Sequence, residues 1–197
     1  MTVSRDMSGV NWVFTPDTEF ELDALAAFVN TAPGLGASRI EDLGSIAQAL
    51  DFYRTWQWTG TRPATAGDLA DLHAVRHTLH DLWAVARRGE ADLVDRVNAL
   101  LRDYRALPQL ARHDNFGWHI HAVPIDAPFA TRVAVEAAMA LVDLIRAEQT
   151  DRLKVCIAAD CDSVLIDLSK NHSRKFCDTA CANRTHAAAY RARKSTR

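Results

Sequence analysis

Cysteine is absent from the first 155 residues of this chain and then occurs four times within 26, at Cys156, Cys161, Cys177 and Cys181. Glycine and proline are scarce as well, eight and six in 197 residues, which excludes a collagen-like or low-complexity chain. No run of about 18 apolar residues occurs, and the most apolar stretch, Val133 to Ile145, is broken by Glu136 and Asp143. The opening "MTVSRDMSGVNWVF" lacks the apolar core of a signal peptide. These absences predict a cytoplasmic protein with no membrane partner, whose thiols stay reduced. No glycine-rich phosphate loop, nucleophile elbow or Ser/His/Asp set stands out either, so an enzyme is not expected. What is present, 48% hydrophobic and 24% charged residues, suffices for a sizeable core.

The net charge of −2 hides a split. From Arg152 onward ten Lys and Arg stand against four Asp, a net of +6, which leaves −8 for residues 1–151. A basic tail on an acidic body is expected where one end meets a polyanion, and a merely solvated terminus is the plainer alternative.

Hydrophobic spacing predicts a mainly α fold with small β-hairpins. Val10, Trp12 and Phe14, then Phe20 and Leu22, alternate as a hairpin around "TPDT" would. Helices are expected over about 22–31, after a capping box at Ser45 and Gln48, after a second at Thr65 and Asp68 as far as Gly89, and over about 91–106. "HDNFGWHIHAVPID" reads as a hairpin turning near Gly117. The longest helix, about 128–149, carries Arg132, Glu136, Met139, Asp143 and Arg146 on one narrow stripe that is expected to face solvent. The predicted organisation is a helical domain over 1–150, sensing a ligand or dimerising, and a finger over 151–197.

The finger follows from ligand spacing. Cys-x4-Cys-x15-Cys-x3-Cys gives two close pairs and a spacer able to run out and return, as a tetrahedral all-thiolate zinc site requires. Packing cysteines without metal and an iron–sulfur cluster are the alternatives. Val164 to Leu168 is expected as the outgoing strand, "RKFC" as the return, and Cys177 with Cys181 on the first turn of a helix capped by Asp178 or Thr179. Knuckle, hairpin and helix in that order predict a treble-clef-like finger holding one structural Zn²⁺. Four sulfur ligands leave no open coordination position, so the ion contributes folding energy rather than chemistry. Arg174, Lys175, Arg184, Arg191, Arg193 and Lys194 surround or follow the ligands and are the candidate DNA contacts.

The segment "LKVCIAADCDSVLIDLSKNHSRKFCDTACANRTHAAAYRAR" resembles the CGNR zinc-finger family. Cys181-Ala182-Asn183-Arg184 stands where that family has Cys-Gly-Asn-Arg, with alanine replacing glycine, and Asp167, Ser169, Asn171, Arg174 and Arg191 also match. Upstream, "FVNT" at Phe28 to Thr31 and the helix bearing Val75 and Arg76 resemble the ABATE domain that usually accompanies this finger. The resemblance implies a DNA-binding, stress-induced transcription regulator. A protein-docking module with a purely structural zinc, or a small-molecule-binding protein, are the rival readings.

Three further groups of side chains could carry chemistry. His73, His77 and His80 share a helical face without a neighbouring Glu base, and exposed histidines are expected there. His113, Asp114, His119 and His121 could make a second metal site, or decorate a hairpin. Asn30 and Arg76 could hold an anionic small-molecule effector in a pocket walled by Trp56, Trp58 or Trp118, or be hydrogen-bonded structure.

Overall fold

The structure, a computed structural model, describes residues 14–112 and 117–195. The chain runs α1 (Pro16–Val29), α2 (Ile46–Thr55), α3 (Ala66–Arg88), α4 (Glu90–Asp103), β1 (Gln109–Arg112), β2 (Trp118–His121), α5 (Phe129–Arg146), a 3₁₀ turn (Thr150–Arg152), β3 (Leu153–Val155), β4 (Val164–Ile166) and α6 (Thr179–Ser195). The mainly helical class with two small hairpins is as expected from the sequence.

Local signals account for several boundaries. Ser45 accepts a hydrogen bond from the Gln48 backbone N–H, and Thr65 with Asp68 forms a full reciprocal capping box. Gly89, at φ 156°, both ends α3 and starts α4. The start of α1 differs from expectation. "TPDT" is a helix N-terminus rather than a turn, with Thr15 at the N-cap, Pro16 at the first helical position and Asp17 and Glu19 in the first turn. Phe20 and Leu22 therefore lie on a helix, while Val10 and Trp12 fall outside the described residues.

α5 is the hub of the body and packs against α1, α3 and α4. It is shorter than expected, about 27 Å at 1.5 Å per residue, because Glu148 turns to φ 56° and the Gln149 N–H closes onto the Leu144 carbonyl. The expected solvent stripe is also wrong at its first two members. Arg132 and Glu136 are buried, at 4% and 6% exposure, because the Arg132 Nη1 donates to the Thr59 carbonyl and Glu136 pairs with His121. Arg146 is exposed and Asp143 half-buried, accepting from Thr18 Oγ1 at 2.9 Å.

The second hairpin corrects the expected course of the finger. β4 pairs antiparallel with β3, upstream of the first cysteine, in the register Leu153↔Ile166, Lys154↔Leu165 and Val155↔Val164. The first cysteine pair thus occupies the hairpin loop, and "RKFC" returns as irregular chain with one ladder-like bond, Ile157 N–H to Lys175 O at 3.0 Å. Side chains alternate across β4 as a strand requires. Val164 and Ile166 enter the core of the helical body together with Leu153, whereas Leu165 packs against Cys156, Cys161 and Cys181. One short strand therefore belongs to two cores.

Candidate metal centre

The four sulfurs come from three local structures. Cys156 ends the β3 ladder, its N–H donating to Ser163 O at 2.8 Å, and Cys161 closes the knuckle by donating its N–H to Ala158 O at 3.0 Å. Cys177 lies two residues ahead of α6, so only Cys181 sits in the helix's first turn. Asp178 is the cap: its Oδ1 accepts from the Cys181 N–H at 2.6 Å, and its carbonyl accepts from Ala182.

All four Sγ atoms lie within 4.8 Å of one another, with Cys156–Cys181 at 3.5 Å and Cys161–Cys177 at 3.7 Å. A disulfide needs about 2.05 Å. Tetrahedral ligands about 2.3 Å from zinc stand roughly 3.8 Å apart, and these pairs fit that cage. The sulfurs are buried except that of Cys177, which is half-buried. The centre takes one structural Zn²⁺. Four thiolates around it carry about −2 by ligand count, and the N-terminus of α6 opposes that charge.

Beside the centre, Asp167 organises the turn after β4. It is fully buried and accepts from Lys154 Nζ at 2.6 Å, Ser169 Oγ at 2.5 Å, Ser169 N–H at 3.0 Å and Arg174 N–H at 2.9 Å. Burial pushes its carboxyl up, but the Lys154 and Ser169 hydrogen bonds outweigh it and hold the group at about 2. Buried Arg152 donates to the carbonyls of Asp167 and Ser169 at 2.5 and 3.0 Å. Two of the ten tail cations are thereby structural.

Arg174, expected at a polyanion, donates Nη2 to Cys177 O at 2.7 Å and Nε to Phe176 O at 3.3 Å, bracing the knuckle from its exposed position. Lys175, Arg184, Arg191, Arg193 and Lys194 are exposed. Arg184 and Arg191, seven residues apart, share one face of α6, while Arg193 lies about half a turn round from Arg184. Ala182 is within the helix and has no positive φ, so alanine in place of the family's glycine brings no backbone strain and adds helix propensity.

The finger is locked to the body. Asn30 Nδ2 donates to Val164 O at 2.8 Å and its Oδ1 accepts from Val164 N–H at 2.9 Å. The Gly36 N–H donates to Ser163 Oγ at 2.9 Å, and that oxygen lies 3.2 Å from Cys161 Sγ. The Trp83 indole N–H donates to Leu165 O at 3.2 Å. Gly36, at φ 65°, leaves no room for a side chain, since a Cβ would stand 2.5 Å from Asn30 O. No sequence signal pointed to this joint.

Asn30 and Arg76 are therefore engaged within the protein and not with each other. Arg76, 7% exposed, forms a bidentate pair with Glu41 at 2.6 and 2.6 Å and donates to Thr31 Oγ1 at 3.0 Å. Its guanidinium lowers the Glu41 carboxyl through that hydrogen bond. Trp56 and Trp58 do wall a cavity, of about 70 Å³, but its cation is Arg132. Trp118 is exposed, under the Arg112 guanidinium. Phe20, Glu21, His119, His121 and Glu136 complete much of the lining. Burial, then the carboxylates of Glu136 and Asp17, push Glu21 up to about 8 against the pull of Arg132.

Of the other histidines, His73 Nε2 contacts Leu43 O at 2.9 Å and His77 is exposed, 3.7 Å from Asp81. They form no metal-holding group with described residues. His113 and Asp114 fall outside the described residues. No described helix is long and apolar enough to cross a membrane.

No curated protein matches this chain. The CGNR zinc finger family matches residues 152–194. The ABATE family, described as "Putative stress-induced transcription regulator", matches residues 22–148, well over half of the sequence. Neither family is enzymatic in its description. The chain belongs to the ABATE family and carries a CGNR zinc finger directly after that domain.

Proposed function

We propose that this protein is a transcription regulator that binds duplex DNA through the outer surface of α6, presented by the zinc centre. The observation that carries the reading is the cationic helix itself. α6 is anchored at its N-terminus by Cys181 and Asp178, runs about 25 Å, and leaves Arg184, Arg191, Arg193 and Lys194 in solvent. Arg184 and Arg191 on one face, with Arg193 opposite, suit a helix lying in a groove between two phosphate rows, Lys175 adding a contact from the knuckle. The acidic body cannot itself seat on DNA, which orients the finger inward and the body outward. Such a protein works in the cytoplasm, where thiols stay reduced.

The test is duplex binding across a salt series. Four phosphate contacts give a slope of log K against log salt near −3.6, and the pair Arg184→Ala with Arg191→Ala reduces it by about 1.8. A salt-independent interaction, or none at low ionic strength, sinks the reading.

The body's part is to dimerise or to sense. Leu110 and Ile120 oppose each other in β1 and β2, and both are exposed together with Leu107, Trp118 and Ile125. An apolar surface of this kind supports pairing of two copies, as a regulator reading two half-sites requires. Analytical ultracentrifugation checks it: Leu110→Glu leaves a monomer if the face is used.

A further inference from the structure

The outer face of α6 carries residues that a merely solvated helix does not need. Its covered side is fixed by Cys181, 1% exposed at the metal centre, and by His186, whose ring stands edge-on to Phe176 with centroids 5.5 Å apart. At about 100° per residue, Asn183, Ala187, Tyr190 and Lys194 fall on one stripe, roughly 180–240° round from Cys181. All four are exposed. Arg184 and Arg191 flank this stripe on one side and Arg193 flanks it on the other.

We propose that the stripe reads bases in the major groove, Asn183 recognising an adenine, and the Ala187 methyl and Tyr190 ring lying against the C5 methyl groups of nearby thymines. The inference rests on the DNA-binding reading and adds to it the residues that select a sequence and the bases they select.

Four observations carry it. Asn183 is a poor helix former placed early in α6, and its side-chain amide has no hydrogen bond with any described residue. A carboxamide matches the major-groove edge of adenine, Nδ2 donating to the ring N7 while Oδ1 accepts from the 6-amino group. Tyr190 is 62% exposed and is the one large aromatic side chain of α6, so its apolar ring has surface to bury against a partner. Ala187, between them, keeps the helix surface low, and its methyl suits contact with a thymine methyl.

The dimensions agree. Asn183 and Tyr190 are about 10 Å apart along the helix axis, about three base steps at roughly 3.4 Å each. The arginines on either side of the stripe fall where the two phosphate rows border a groove about 12 Å wide. Charge therefore holds the helix in the groove from its flanks, and the uncharged stripe between them meets the base edges.

The experiment selects binding sequences from a pool of random duplexes with the full-length, zinc-loaded protein. Wild type is expected to enrich a motif with a fixed adenine and an A·T pair two to three positions from it. Asn183→Ala loses preference at the adenine alone, by about ten- to a hundredfold, with the salt slope unchanged. Replacing that adenine with 7-deazaadenine, which lacks the N7 acceptor, weakens wild type and leaves Asn183→Ala unaffected. Tyr190→Ala relaxes the second position. Arg184→Ala with Arg191→Ala lowers the salt slope and keeps the motif. Both Asn183 and Tyr190 are exposed, and zinc content and melting transitions check that their variants fold. Salt-dependent binding with no motif, or with a motif that Asn183→Ala and Tyr190→Ala leave intact, overturns the base-reading proposal and spares DNA binding itself. Absence of binding at low ionic strength takes down both.

Discussion

Asn30 gives Val164 both hydrogen bonds that a neighbouring strand would give, donating to its carbonyl at 2.8 Å and accepting from its N–H at 2.9 Å across 134 residues. A side-chain amide thus completes the edge of β4 and ties the first helix of the body to the finger. Asn30→Ala strands two polar backbone groups, at about 1–3 kcal/mol each. Calorimetry is expected to show a melting temperature lower by about 4–24 °C at this chain length. Asn30→Asp keeps only the acceptor and falls between the two.

Gly36→Ala tests the same joint from the other side. The added methyl meets Asn30 O at 2.5 Å from a backbone already at φ 65°, so the loop must move and Ser163 loses its donor. The expected cost is about 1–3 kcal/mol, with faster zinc release to a chelator because Ser163 Oγ contacts Cys161 Sγ. Unchanged release kinetics would show that the body does not support the metal cage.

Asp167 makes stability depend on pH in a defined window. Its folded value, about 2, lies below the ordinary 3.8, so its contribution is complete above about 4 and is lost as pH falls from there towards 2. The shift corresponds to about 2 kcal/mol. The stability difference between wild type and Asp167→Asn, in which thiolate protonation cancels, is expected to be constant above pH 4 and to shrink below it. Denaturant titrations at several pH values measure it.

Glu21 works in the opposite sense. Its folded value is raised to about 8, so the ionised form disfavours the folded state, and stability falls as pH rises from about 4.5 towards 8. Glu21→Gln is expected to raise the melting temperature at pH 9 and to leave it nearly unchanged at pH 4.

Zinc removal separates the two cores. Chelation is expected to release the knuckle and the start of α6 while α1 to α5 keep their far-ultraviolet signal. Because Leu153, Val164 and Ile166 sit in the body core and Trp83 bonds Leu165, the body's own melting temperature falls and Trp83 fluorescence changes. A body indifferent to chelation would contradict the shared strand.

Where the sequence could be read, the governing signals were short-range. Ser45 with Gln48, Thr65 with Asp68, and the cysteine spacing each state their geometry within a few residues. The helix start at Pro16 is ambiguous in sequence, because Pro-Asp suits a turn as well as a first helical turn. The finger's strand pairing is not legible in sequence, because Leu153 to Val155, lying before the first ligand, has too few residues for a period to register. Arg132 and Glu136 looked solvent-facing on helical spacing alone. Their partners, Thr59 O and His121, are brought in by other segments and leave no mark on the helix itself. The Asn30–Val164 joint is of the same kind.

β4 is common property of the body and the finger, and this removes the tether that usually lets a reading head swing. The direction of α6 is then fixed by how α1 and α3 are seated, much as a crank is fixed by its shaft. In a two-copy assembly the distance between the two reading helices would be a dimension of the folded body. Inserting residues between Ala147 and Leu153 would turn that geometry out of phase, where in a flexibly linked protein it would only add slack.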